Sequence, residues 1–244
     1  MNADRPLAGS TSTGWLKIVA LLFMLIDHMG KMLFPAVPEM RILGRIAFPL
    51  YAWCMVVGFH YTRSVPKYLL RILAIGLISQ PLYMMALDHA WTDPNIFLTL
   101  LLALLALWAI REKRAGSQAW GPALALVLAV VFRCDYGWRG VLLVILLYAV
   151  QGSRAGIAAV MVAYCLFWGA NSSSIVTLFG WNVSGVLVDP FASILSPWLR
   201  VQAMAILALP LMLIPIKARL RMPSWLGYAL YPAHLALLIA LEAI

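Results

Sequence analysis

Asp27 and His28 are neighbours in an otherwise apolar run, Ile18-Val19-Ala20-Leu21-Leu22-Phe23-Met24-Leu25-Ile26-Asp27-His28-Met29-Gly30-Lys31. An ionisable group inside hydrocarbon costs about 2.5 kcal/mol or more, so an acid and an imidazole set there mark a reactive centre. Imidazole has an unperturbed pKa of about 6.5 and can take up and return a proton near neutral pH. Consecutive helical residues stand about 100° apart around the axis, so these two side chains cannot readily pair with each other. Each needs a partner from another element.

Candidate partners are spread along the chain: Arg45 in Gly44-Arg45-Ile46-Ala47-Phe48-Pro49, Asn95, Asp135 in Arg133-Cys134-Asp135-Tyr136-Gly137, and His234 in Tyr231-Pro232-Ala233-His234-Leu235. A shared, partly hydrated cavity satisfies such groups at lower cost than separate burial. Asp135 is expected as the partner of His28, and Arg45 or His234 as that of Asp27. Each residue also has a plainer reading: a basic side chain snorkelling at a helix end, a solvated loop network around Asp135, or a packed histidine beside a proline kink. His60 and His89 read as solvated.

The elements that must hold these residues are membrane spans. Of the 244 residues 64% are hydrophobic and 11% charged, against about 25% charged in soluble domains. Stretches near the 20-residue spanning length recur to the last residue, so the chain reads as an all-α polytopic membrane protein. It divides into a flexible cytosolic tail, 1–14, and one integral-membrane domain, 15–244. The first apolar stretch is full length and ends in Lys31 and Phe34-Pro35, not at a small-residue cleavage site, so it is expected to stay in the protein. Cys54, Cys134 and Cys165 lie far apart and suggest neither a disulfide framework nor a zinc site, and no metal is expected. The net charge of +9 fits basic loops beside spans and needs no nucleic-acid partner.

About nine spans are predicted, over 15–34, 43–61, 68–87, 95–110, 119–132, 138–150, 155–170, 198–216 and 225–244. Residues 171–197 read as an outer loop carrying an interfacial or re-entrant piece. With the amino terminus in the cytosol and the carboxy terminus outside, twelve of the eighteen Lys and Arg residues fall on the inner side. This topology gathers Asp27, His28, Arg45, Asn95 and Asp135 toward the outer side and sets His234 near mid-span. A proton-coupled permease or secondary transporter also carries intramembrane Asp, His and Arg, but no inverted repeat is visible. A purely structural assembly factor leaves those residues unexplained.

The motifs resemble those of the TraX family of bacterial membrane proteins. The resemblance is carried by Leu16-Lys17-Ile18, by Met24-Leu25-Ile26-Asp27-His28-Met29-Gly30, by Arg41-Ile42-Leu43-Gly44-Arg45-Ile46-Ala47-Phe48-Pro49-Leu50 and by Lys67-Tyr68-Leu69-Leu70-Arg71. Ser79-Gln80-Pro81, Asn95-Ile96-Phe97, Asp135-Tyr136-Gly137 and Tyr231-Pro232-Ala233-His234-Leu235 continue it in the same order. It implies an acetyltransferase of the bacterial inner membrane, within a wider group that includes the acyltransferase-3 and heparan glucosaminide acetyltransferase families. The namesake acetylates the amino terminus of conjugative pilin. Acetyl-CoA is then the co-substrate, and a protein amino terminus, a sugar or a lipid headgroup on the outer face is the acceptor.

Under that resemblance the CoA phosphates are expected on Arg63, Lys67 and Arg71 first and on Lys217, Arg219 and Arg221 second, since guanidinium pairs well with phosphate oxygen. His28 acts as general base or carries the acetyl group as an acyl-imidazole. Asp27 or Asp135 orients His28 or holds a protonated amine. Arg45, Asn95 or His234 stabilises the charge on the thioester oxygen.

Overall fold

The computed structural model describes residues 6–183, 192–214 and 224–242. They are predominantly helical: α1 (Thr13–Met32), α2 (Pro38–Gly44), α3 (Ala47–Tyr61), α4 (Val65–Leu87), α5 (Ile96–Glu112), α6 (Ser117–Val131), α7 (Gly137–Ala149), α8 (Arg154–Gly169), a hairpin β1 (Thr177–Leu178) and β2 (Trp181–Asn182), then α9 (Ala192–Leu195), α10 (Ala208–Leu213) and α11 (Ser224–Glu242). Among the described residues, three stretches are long and apolar enough to cross a membrane: α1, α2 with α3 as Pro38–Tyr61, and α4. The helices α5 to α8 hold 13 to 17 residues. At 1.5 Å per residue they cover about 20–25 Å, short of a hydrocarbon core of about 30 Å.

Helix α3 is the centre of the packing. Ala47, Phe48, Leu50, Ala52, Trp53, Met55, Val56 and Phe59 point in several directions around its axis and are all buried. A helix that is apolar on every side belongs in the interior. It packs against α1, α5 and α7, while α11 lies against α4 and α1. By contrast α1 buries only the stripe Leu16, Ala20, Met24, Asp27 and Gly30 and leaves Leu22 exposed on the other side. In lipid, helices associate through close packing, which small residues permit. Gly44 is such a point, because a Cβ there would overlap the Asp27 carboxylate.

The predicted second span departs from regular α-helix at Arg45 and Ile46, between α2 and α3: both keep helical φ/ψ, but their N–H groups bond three residues back, to Ile42 and Leu43. Pro49 has no N–H to offer the Arg45 carbonyl, so the ladder is interrupted there. The predicted eighth span is likewise not one regular α-helix. A 3₁₀ segment, Gln202–Leu207, leads into α10, and Ile214 is extended. Pro210 withholds the bond that the Ile206 carbonyl would accept in an α-helix. The other predicted elements begin and end within about three residues of the observed ones.

The amino-terminal stretch is tied down where it is described. Ala8 N–H donates to the Gln151 carbonyl at 2.9 Å, Ser10 N–H to Met212 at 2.7 Å, and Trp53 Nε1 donates back to Ser10 at 2.8 Å. Within 171–183, the β1–β2 pair turns at Phe179 and Gly180, both at positive φ, as a two-residue hairpin loop requires. Phe179 N–H donates to Glu39 Oε1 at 2.6 Å, which fastens the hairpin to α2.

Candidate functional site

Asp27 projects from α1 against the end of α2. Its Oδ2 accepts from Arg41 Nη1 at 2.7 Å and its Oδ1 from Arg45 Nη2 at 2.6 Å. Arg41 Nη1 also reaches the Asp27 carbonyl at 3.1 Å, and Arg45 Nε donates to the Arg41 carbonyl at 3.1 Å. One carboxylate between two guanidinium groups leaves the cluster with a surplus positive charge. Arg45 was expected as a partner of Asp27; Arg41 was not. The signal was in the sequence, since residues four apart share one helix face and can converge on one acceptor.

His28 points a different way and meets α11. Its Nδ1 lies 2.8 Å from His234 Nε2, and His234 Nδ1 lies 3.1 Å from the Leu230 carbonyl. His234 thus occupies the place expected for Asp135. No hydrogen bond or ion pair joins Asp135 to another described residue, although it lines the same cavity as Asp27 and His28. The surrounding protein pushes the Asp135 carboxyl up to about 6, and Asp27 pushes the same way; Arg45, Lys31 and Arg41 pull it down. Beside it, Tyr136 stacks on Phe48 at 4.0 Å between ring centroids and meets Trp168 edge-on, which fixes the loop.

Asn95 lies apart from these groups. It caps α5, its Oδ1 accepting from Phe97 N–H at 3.0 Å, while Nδ2 donates to the Gly76 carbonyl at 2.8 Å. Its neighbours Ile96 and Phe97 line the cavity instead. His89, expected to be solvated, stacks on Tyr83 at 4.7 Å and lies 3.3 Å from Lys31 Nζ. Partial burial and the Lys31 charge both lower its pKa below the ordinary imidazole value.

The cavity, about 150 Å³, runs along α1. Lys17, Leu21, Met24 and His28 are spaced by four, three and four residues, one helical stripe about 16 Å long. Its walls are polar at the two ends, with Lys17 and Tyr68 at one and Asp27, His28 and Asp135 at the other. Leu21, Met24, Met55 and Ile72 make the middle apolar. Such a shape fits an elongated ligand that carries an anionic group at the Lys17 end and a reactive group at His28.

Lys17, part of the Leu16-Lys17-Ile18 motif, is not among the expected phosphate-binding residues, although the α1 spacing sets it on the same face as His28. Arg63, Lys67 and Arg71 are exposed and do not line the cavity, though their neighbours Tyr68 and Ile72 do. Lys217, Arg219 and Arg221 lie outside the described residues.

No solved structure matches the chain. Among curated proteins, a probable fimbrial assembly protein FimC of Dichelobacter nodosus is 34% identical over 140 residues, covering 50% of this chain and 55% of that protein. The uncharacterized protein RP591 of Rickettsia prowazekii is 28% identical over 147 residues, covering 58% of this chain and 57% of its own. The chain therefore spans a little over half the length of these relatives. The family model described as TraX protein matches residues 12–242, and with nearly the whole chain so covered, this protein belongs to the TraX family.

Proposed function

We propose that the chain is an integral-membrane acetyltransferase, which moves an acetyl group from a cytosolic CoA thioester to an amine or hydroxyl acceptor on the outer face of a bacterial inner membrane. The observation that carries this reading is the cavity stripe that links the cation Lys17 to the imidazole His28 along α1. In the proposed topology of about nine spans, with the amino terminus inside, Lys17 faces the donor side. Arg63, Lys67 and Arg71 then crowd the same end, where the polyanionic part of CoA would dock. The apolar middle takes the uncharged arm and brings the thioester to His28.

His28 takes the proton from the acceptor N–H or O–H as the nucleophile attacks the thioester carbon. Arg45 and the surplus positive charge around Asp27 offset the charge that develops on the oxygen. As the tetrahedral species collapses, the C–S bond breaks and the CoA thiolate takes the proton back from His28. In this scheme Asp27 holds the guanidinium pair and Asn95 serves the α4–α5 junction, outside the chemistry. The likeness to a fimbrial assembly protein favours a fimbrial or pilin subunit as acceptor.

Labelled acetyl transfer in membranes tests the reading. His28→Ala protein that inserts normally is expected to lose about 10² to 10⁴ in rate, the usual share of a general base. Full activity in that variant overturns the mechanism. Binding of acetyl-CoA to the detergent-solubilised protein separates a transferase from a permease, which has no need of the thioester.

A further inference from the structure

The two histidines settle a question of proton placement. Their rings are within 13° of coplanar with centroids 5.0 Å apart, while the nearest nitrogens are 2.8 Å apart. That centroid separation is close to what two imidazoles joined nitrogen to nitrogen in one line require, so the rings meet end to end in a shared plane and do not lie face on face. His234 Nδ1 sits 3.1 Å from the Leu230 carbonyl, which can only accept, so in the neutral ring Nδ1 carries the proton. His234 Nε2 is then a lone pair. The 2.8 Å contact can be a hydrogen bond only if His28 donates from Nδ1.

We propose that His234 is a positioning residue that locks His28 in its Nδ1–H tautomer and thereby turns Nε2, the one basic nitrogen left, to the cavity. The chain Leu230 carbonyl, His234, His28 does with a second imidazole and a backbone oxygen what a carboxylate does when it orients a catalytic or metal-binding histidine. His28 Nε2 makes no bond to a described residue, and the ring lines the cavity. The unlocked ring would spend part of its time with Nε2 protonated and unable to accept. The carboxylates are not available for this task, because Asp27 is held by two arginines and Asp135 is not bonded to His28. The role of the tautomer in transfer rests on the function proposed above; the tautomer itself does not.

The test therefore begins with a reading that needs no activity. Ring-carbon and nitrogen chemical shifts of isotopically labelled histidine, assigned by comparison with His28→Gln protein, are expected to report Nδ1–H at His28 at pH 8. An Nε2–H ring or an even mixture overturns the proposal. In His234→Phe protein, which lacks the acceptor, the His28 signals are expected to shift to a mixture; unchanged signals also overturn it. His234→Gln offers an amide oxygen in the same direction. It is expected to keep the Nδ1–H signature and to retain at least a third of the wild-type kcat for acetyl transfer, against a loss of 30-fold or more in kcat with little change in KM for His234→Phe. Equal losses in the Gln and Phe variants, both melting near the wild type, count against positioning. Should the wild type show no acetyl transfer at all, the functional reading fails while the spectroscopic arms still decide the tautomer.

Discussion

Arg45 Nη2 donates to Asp27 Oδ1 across 2.6 Å, and with Arg41 on the other oxygen the carboxylate is gripped from both sides. Removing one member of a buried ion cluster strands the others and costs about 3–5 kcal/mol. Asp27→Asn is therefore expected to lower the melting temperature in detergent by roughly 10 °C. Arg41→Gln should cost less than Arg45→Gln, because the Arg41 side chain is 36% exposed and that of Arg45 14%. Differential scanning fluorimetry on the three variants checks the order, and an Asp27→Asn melt matching the wild type refutes it.

Gly44→Ala is expected to destabilise by about 1–3 kcal/mol, the range for forcing atoms into a filled space. The added Cβ would run into the Asp27 carboxylate, which the two arginines hold in place. At Gly58 the nearest atom to an added Cβ is the Tyr68 hydroxyl, at 3.2 Å, so Gly58→Ala is the milder control. Equal melting temperatures for the two alanine variants would show that α2 can move away from α1.

The cavity supplies a test that leaves the chemistry at its end untouched. Leu21→Trp fills the apolar middle of the stripe, between Lys17 and His28. It is expected to weaken acetyl-CoA binding tenfold or more while the protein still folds. Lys17→Ala should weaken binding about fivefold at low ionic strength, a difference that shrinks in 0.5 M salt as exposed charges are screened. Isothermal titration in detergent at two salt concentrations separates the two effects; unaltered binding in both variants removes the donor from this cavity.

Asp135 gives a pH signature. Desolvation by the cavity walls pushes its carboxyl up to about 6, above the ordinary 3.8, so the native state is expected to hold the extra proton between those limits. Stability therefore falls as pH rises from about 4 to about 6 and stays lowered above. Asp135→Asn, neutral throughout, is expected to melt slightly above the wild type at pH 8, the gain kept small by the exposure of the side chain, and level with it at pH 4. Melting curves across that range decide it, and a constant offset excludes titration as the cause.

How much of this was readable beforehand differs between the helices and their contacts. Apolar length and proline positions mark α1, α4, α6, α7 and α8 closely, since one helix is a local matter. The departures from α-helix at 45–46 and before α10 depend on Pro49 and Pro210, whose effect on a carbonyl four residues back the hydropathy pattern does not register. Among site residues, Asp27 with Arg45 was legible because a short turn brings α2 back to α1. The His28 to His234 contact spans 206 positions, and spacing alone does not favour His234 over Asp135 at that range. Asn95 stands as the cap of α5, and a polar residue at a helix start is as well suited to capping as to chemistry, so type and position alone do not separate the two.

Asp27 and His28 belong to the same turn yet answer to different neighbours, α2 and α11. A helix can spin about its own axis, and a spin of one residue step, about 100°, would swing the imidazole away from α11 altogether. The two guanidinium groups act as a key in a slot: by gripping Asp27 they hold α1 at one angle of rotation. The aim of His28 is thus governed by charges that never touch it.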